Sequence, residues 1–150
     1  MNVVNYFNIK EWSVMATYML LECPQINIKV KIRLLDDQAP KLCEEVRRVL
    51  PLTTLAWHAV ISGDNAGFFL PVVWTEFDNP QERNQGDVFL YANGQLVVIC
   101  YGKNTEPGRV NKFGEVCEDS LENMEKLGLA IRHGIMTGEE PFFVKLTLER

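Results

Sequence analysis

A few polar and aromatic residues in the middle of the chain carry the chemistry that the sequence could perform. His58 can donate or accept a hydrogen bond, or take up a proton near neutral pH, so it is the candidate catalytic residue. Arg109 follows Pro107-Gly108, and a guanidinium in such a loop could bind a carboxylate through two hydrogen bonds. We expect these two residues to share one face of the fold with further candidate ligand-binding residues, namely Trp57, Ser62, Tyr101 and Asn111.

Each of these residues also has a purely structural explanation. His58 could be a hydrogen-bonded, partly buried histidine, and Arg109 a solvated loop residue. Trp57 and Tyr101 could form an aromatic wall for a ligand or simply pack in the core. Ser62 is not part of a G-x-S-x-G motif, so no set of nucleophile, base and acid can be assembled.

Metal-binding motifs are also missing from the sequence. There is no H-E-x-x-H motif, and the four cysteines lack the spacing of a metal site. We therefore predict no metal and no cofactor, and we leave open whether the protein is an enzyme. The dispersed cysteines are typical of reduced thiols, which favours a cytoplasmic location.

Length and charge narrow the classes of partner. A chain of 150 residues is expected to form a single domain, 1–150, in which residues 1–14 could be an accessory N-terminal arm. A net charge of −5 disfavours nucleic acid and anionic membranes as partners. No run approaches the roughly 20 apolar residues of a membrane-spanning helix.

The hydrophobic pattern predicts many short strands and two helices. Apolar residues alternate with polar ones from Ile26 to Leu34, as in a strand with one buried face. A helix should start near Pro40, capped by Asp36 or Asp37, and end before Pro51. The second helix is predicted over Ser120–His133. Turns are predicted at Ser62–Asn65 and, within a hairpin, at Ala92-Asn93-Gly94, and loops at Asp78–Gly86 and Lys103–Lys112. These elements predict a mainly β fold, a closed antiparallel barrel with two α-helices.

Two segments resemble a known family. Trp57-His58-Ala59-Val60-Ile61 resembles the "FHRVI" motif of cyclophilins, the peptidyl-prolyl isomerases, and the stretch from Gln95 to Val116 aligns without a gap with the strand, loop and strand of their active face. The resemblance implies a cyclophilin-like barrel. It also adds Gln95, which matches the family's glutamine, to the candidate ligand-binding residues.

Substitutions within these segments change the chemistry that the resemblance implies. Ala59 stands where cyclophilins carry the arginine that assists isomerisation. The family has phenylalanine at the position of Val97, often tryptophan at that of Thr105, and histidine at that of Val110. We therefore expect the prolyl groove to lack its guanidinium and its ring-lined walls. An arginine from elsewhere in the chain that filled the place of Ala59 would contradict this.

The nearest resemblance is to small bacterial cyclophilin-like families of unknown function, which share Ala39-Pro40-Lys41, Ser62-Gly63, Gly86-Asp87 and Tyr101-Gly102. It implies the barrel but no particular reaction. We predict a cyclophilin-like protein without isomerase activity that binds a small polar molecule or carboxylate in a pocket on the barrel face. The alternatives are a peptidyl-prolyl isomerase and a small-molecule enzyme that uses His58. A homo-oligomer is also expected.

Overall fold

The structure is a computed structural model that describes residues 17–77, 79–91 and 94–150. It contains nine strands and two α-helices within these ranges. The strands are β1 (Tyr18–Cys23), β2 (Ile28–Leu34), β3 (Leu52–His58), β4 (Gly63–Val73), β5 (Pro80–Glu82), β6 (Asp87–Leu90), β7 (Gly94–Asn104), β8 (Arg109–Val116) and β9 (Phe143–Glu149). The helices are α1 (Pro40–Arg48) and α2 (Leu121–Thr137).

Eight strands form a closed barrel. Their order is β2-β1-β9-β3-β4-β7-β6-β8, and β2 pairs again with β8 to close the ring. All pairings are antiparallel, and β5 is an extra strand on β8. The predicted mainly β fold, a closed antiparallel barrel with two helices, is therefore confirmed.

The alternating pattern of the second strand produces the expected buried face. Val30, Ile32 and Leu34 are buried in the core, while the side chains between them reach the surface or its edge. The helix α2 packs against β2, β3, β4 and β7 and buries Met124 and Leu127 there. Burial of each large apolar side chain stabilises the fold by about 1.5–3 kcal/mol.

The helix boundaries differ from the prediction in two ways. Neither aspartate caps α1, whose N-cap is Ala39 without a side-chain hydrogen bond. Asp36 instead accepts a hydrogen bond of 2.6 Å from the guanidinium of Arg47, which binds both of its carboxylate oxygens. The second helix continues past His133 to Thr137, where Gly138 with φ of +71° ends it.

Two predicted loops and one turn contain more strand than expected. Residues 62–65 are not a turn, because β4 begins at Gly63, where a φ of +96° and a register shift allow a bulge. The polar loop contains the short strand β5, and extension of β7 and β8 leaves only residues 105–108 between them. Of the predicted hairpin turn, Ala92 and Asn93 lie outside the described residues, as does the proposed arm 1–14.

Two further observations concern a membrane-spanning helix and the state of the cysteines. In the described ranges no helix has both the length and the apolar character needed to cross a membrane. The four cysteines are free thiols, and three of them are buried.

Candidate functional site

The alternation of side chains along β3 separates two groups of residues. Ala56 contributes to the main core, whereas Trp57 packs on a smaller apolar cluster. The register of β3, β4, β7 and β6 places in one cross-strand row Trp57, Gly67, Val98 and Phe89. This row lies on the face of the sheet that is turned away from the main core.

A cavity of about 450 Å³ opens over this row. We call it the outer cavity. Its apolar lining includes Trp57, Phe89, Tyr91, Leu96, Val98 and Pro107. Its polar lining consists of Ser62, Asn65, Arg83, Thr105 and Glu106. The cavity therefore combines ring-bearing walls with a polar edge, the composition typical of small-molecule sites.

Arg83 supplies a cation to this polar edge. The residue follows β5, and its side chain is only 8% exposed. Nη1 donates a hydrogen bond of 2.8 Å to Oε2 of Glu106, and the guanidinium carbon lies 5.4 Å from the centre of the Phe89 ring. The ion pair and the aromatic face together stabilise a charge that would be costly to bury alone.

Amide hydrogen bonds hold the rim of the outer cavity, which is residues 105–107. Asn65 Nδ2 donates to the carbonyl of Ser62 at 2.8 Å and to Oδ1 of Asn104 at 3.0 Å. The backbone N–H of Thr105 also donates to the carbonyl of Ser62, at 3.0 Å. Hydrogen bonds thus connect the rim to the start of β4 and to the short 3₁₀ turn Val60–Ser62 that follows β3.

Several polar atoms of the lining residues have no hydrogen-bond partner. Six buried side-chain nitrogen and oxygen atoms lack one in the part of the chain that the structure describes. Three of the six belong to residues that line the outer cavity: Trp57 Nε1, Asn65 Oδ1 and Arg83 Nε. Buried polar groups are nearly always paired in proteins, so this concentration calls for an explanation.

His58 and Tyr101 form a separate pair that does not line the outer cavity. His58 Nε2 lies 2.7 Å from the Tyr101 hydroxyl oxygen, and the rings meet edge to face. Burial, and then the charge of Arg132, lower the pKa of His58 to about 4. Burial raises the pKa of Tyr101 to about 12. The lowered pKa of His58 favours the neutral ring at pH 7.

The remaining predicted site residues lie elsewhere. Arg109 is exposed on β8, with Nε 4.0 Å from Oε1 of Glu82. Asn111 is buried, and its Nδ2 donates to the carbonyl of Glu76 at 2.8 Å. Gln95 is exposed at the start of β7 with a φ of +65°. Of the predicted set, the structure brings only Trp57 and Ser62 to the outer cavity.

The outer cavity includes two of the positions that define the expected stripped groove. Ala59 and Thr105, two positions where the resemblance marks a loss, both line the outer cavity. The same cavity contains the guanidinium of Arg83 and the rings of Trp57 and Phe89. The outer cavity therefore contains a cation and aromatic walls, and the expectation of a stripped prolyl groove stays a prediction.

Sequence reasoning missed the most distinctive polar residues of the cavity. Arg83 lies in a polar stretch, where a solvated arginine is the usual interpretation, and nothing near it in sequence marks it as buried. Glu106 is equally unremarkable beside Pro107. Phe89 did carry a signal, since it stands between Val88 and Leu90 in a short apolar run, which is typical of a strand buried on both faces.

A second cavity, of about 340 Å³, lies near the start of α2. Beside it a lysine is held between two carboxylates: Lys112 Nζ is 2.8 Å from Asp87 and 2.7 Å from Glu115. Arg33 also contacts Glu115, at 2.8 Å. These charges pair with one another, which indicates a structural network. Among the described residues no group of three or more His, Cys, Asp or Glu side chains is placed to hold a metal ion.

Comparisons with known proteins agree with the barrel. No protein-family model matches the chain, and no curated protein sequence matches it. The structure of McbB in complex with tryptophan is similar, with a TM-score of 0.80 and 24% identity over 86% of this chain. The chain covers 44% of McbB, less than half of that protein's length.

A second similar structure is the solution structure of the hypothetical protein AF2241 from Archaeoglobus fulgidus. It has a TM-score of 0.63 and 17% identity, over 89% of this chain and 95% of that one. At these identities the likeness concerns the fold alone. It supports a barrel-fold family, and the cyclophilin resemblance remains an expectation.

Proposed function

We propose that the protein binds, in the outer cavity, a small molecule with a ring-sized apolar body and a carboxylate group. The observation that carries this proposal is the buried Arg83 in a cavity whose other walls are largely apolar and aromatic. Small-molecule sites combine such walls with a few placed polar groups. A guanidinium matches the planar geometry of a carboxylate and can bind it through two hydrogen bonds.

The size of the cavity supports a ligand of this class. A volume of about 450 Å³ lies within the range of roughly 300–1,000 Å³ that is common for small-molecule sites. Trp57 and Phe89 offer flat faces on which a ring can pack, and such aromatic contacts contribute about 0.5–1.5 kcal/mol beyond area burial.

Tryptophan is the first ligand to test. It has a fused ring system and a carboxylate, and it is the molecule in the similar McbB structure. Since this chain covers less than half of McbB, the choice is a starting point for a panel of aromatic carboxylates. The established ligand of one barrel protein does not transfer to another by fold alone.

The test is calorimetric titration of tryptophan and indole-3-acetate into the wild type and a cavity-filling variant. Ala59→Phe puts a ring into the cavity and should abolish binding. Thr53→Phe adds similar bulk at an exposed position of β3, the strand that ends just before Ala59, and should leave binding intact. Binding that Ala59→Phe does not weaken, or no binding by any aromatic carboxylate, would contradict the proposal.

One observation favours a second function, prolyl isomerisation. Arg83 shares the cavity with Ala59, the position where the resemblance implies a catalytic arginine. The barrier to be lowered is about 20 kcal/mol, so any real effect is easily measured with a proline-containing peptide. We expect no acceleration, because the neutral prolyl amide offers no anion to replace Glu106 on Arg83. Acceleration that Arg83→Gln removes and Arg109→Gln keeps would establish this second function instead.

A further inference from the structure

We infer that Glu106 holds the place of a ligand carboxylate on Arg83, so that an anionic ligand binds by exchanging with it. This inference rests on the proposed function and names the ligand class more closely. It makes Arg83 and Glu106 the residues that determine specificity in the outer cavity. The ligand class is a molecule with one carboxylate, and preferably an amino group beside it.

Arg83 requires an anion at all times. Its side chain is 8% exposed, and one side of the guanidinium faces the ring of Phe89. A buried charge left without a partner destabilises a protein by several kcal/mol. Any process that removes Glu106 from Arg83 must therefore supply another anion. A ligand carboxylate can do this, and a neutral ligand cannot.

Glu106, in contrast, can leave at little cost. Its side chain is 42% exposed, so the carboxylate can turn into solvent and remain hydrated. The asymmetry between the two partners means that the glutamate moves while the arginine stays.

The exchange needs no movement of the rim backbone. Asn104 Nδ2 donates to the carbonyl of Glu106, and the N–H of Thr105 donates to Ser62. Asn65 in turn donates to Asn104 at 3.0 Å. Rotation of the Glu106 side chain alone is enough, and the cavity walls keep their shape.

A displaced Glu106 also selects among anions. Its carboxylate remains beside the cavity, where it would repel a second negative charge on the ligand and attract an ammonium group. Zwitterionic amino acids and monocarboxylates should therefore bind better than dicarboxylates of the same size. A neutral amide should bind most weakly, since it leaves the Arg83–Glu106 pair in place.

The experiment compares a matched pair of probes, indole-3-acetate and indole-3-acetamide, by calorimetry on the wild type and Glu106→Gln. The variant leaves the charge of Arg83 without its partner, so we expect the ratio of carboxylate to amide affinity to rise by at least about tenfold. Glu82→Gln removes the same charge from a neighbouring exposed residue outside the cavity and should leave the ratio unchanged. Arg83→Gln should reduce the ratio to near one.

Melting temperatures, measured first without ligand and then with it, accompany the titration. Glu106→Gln should lower the melting temperature more than Glu82→Gln, and the double variant Arg83→Gln/Glu106→Gln should recover part of the loss. Indole-3-acetate should restore the melting temperature of Glu106→Gln by a larger shift than it gives the wild type.

The outcomes separate the two claims. Binding of both probes with a ratio that Glu106→Gln does not change, or that Glu82→Gln changes equally, would overturn the exchange inference alone. Binding of neither probe to the wild type or to Glu106→Gln would overturn the proposed function and the exchange inference with it.

Discussion

His58 and Tyr101 are joined by a hydrogen bond of 2.7 Å between Nε2 and the hydroxyl oxygen, on a side of the sheet that does not line the outer cavity. Both side chains are buried, and the Tyr101 ring presses on Gly128 of α2. This pair therefore connects the end of β3 to β7 and the long helix. It has the properties of a structural contact, and the proposed binding site depends on other residues.

Replacement of His58 by alanine should destabilise the protein by about 2–4 kcal/mol, since it leaves a cavity and deprives the Tyr101 hydroxyl of its partner. Urea denaturation measures the loss. Replacement of the exposed His133 is the matched control and should change stability little. If His58→Ala kept full stability and removed turnover of a substrate, the alternative of an enzyme that uses His58 would be correct.

Stability should fall in mild acid because His58 is buried as a neutral ring. Its pKa is about 4 in the folded protein, below the ordinary 6.5, so the unfolded chain binds the proton more readily. The free energy of unfolding is then greatest above pH 6.5 and decreases as the pH falls. The contribution of His58 to stability, about 3 kcal/mol, is lost by about pH 4.

Urea denaturation at several pH values tests this dependence. Other groups also titrate in this range, so the wild type is compared with His58→Asn. The free energy of unfolding of His58→Asn should depend less steeply on pH. His133→Asn should keep the wild-type slope. Equal slopes for the wild type and His58→Asn would show that His58 is not buried as a neutral ring.

Two glycines of α2 should respond oppositely to alanine. A Cβ on Gly128 would lie 2.3 Å from the Tyr101 ring, so Gly128→Ala should destabilise by about 1–3 kcal/mol through overpacking. At Gly134 the nearest atom would be at 3.4 Å, an ordinary contact with Phe142. Gly134→Ala should stabilise by up to about 1 kcal/mol, because alanine favours a helix over glycine.

Thermal denaturation of the two variants measures these changes. Similar melting temperatures for Gly128→Ala and Gly134→Ala would show that Tyr101 does not contact the helix as described.

Lys112 should contribute far more to the stability of the fold than Lys126, although both lie at a similar distance from a carboxylate. Its Nζ is 2.8 Å from Asp87, and the two side chains are 13% and 5% exposed. Lys112→Met leaves the buried carboxylate unpaired and should cost about 3–5 kcal/mol. The pair of Lys126 with Glu122, 2.7 Å apart, is well exposed, so Lys126→Met should change the free energy of unfolding little. Comparable losses in chemical denaturation would contradict this view of the network.

The fold was predictable because periodicity is a local property. Ile28 to Leu34 alternates in sequence and in burial, and Pro40 begins the first helix as expected. The short strand β5 was not predictable, because Pro80–Glu82 is a three-residue edge segment whose pairing with β8 is decided by tertiary contact.

The candidate site was predictable only in part. Trp57 and Ser62 are near one another in sequence and reach the outer cavity together. His58 was assigned to the same group, but alternation along β3 sends it to the opposite face from Trp57. Arg83 and Glu106 meet across 23 positions of sequence, and no local pattern links them.

The central claim is that the outer cavity binds an aromatic carboxylate, and nitrogen-15 NMR of the indole N–H groups tests it most directly. Trp57 and Trp74 both have a buried Nε1 without a partner, but only Trp57 lines the cavity. The chain has three tryptophans, so the variants Trp12→Phe and Trp74→Phe together assign the signals. Unlabelled tryptophan should shift the signal of Trp57 in a saturable way and leave that of Trp74 in place. A shift of Trp74 alone, or no shift of Trp57 at millimolar ligand, would contradict the claim.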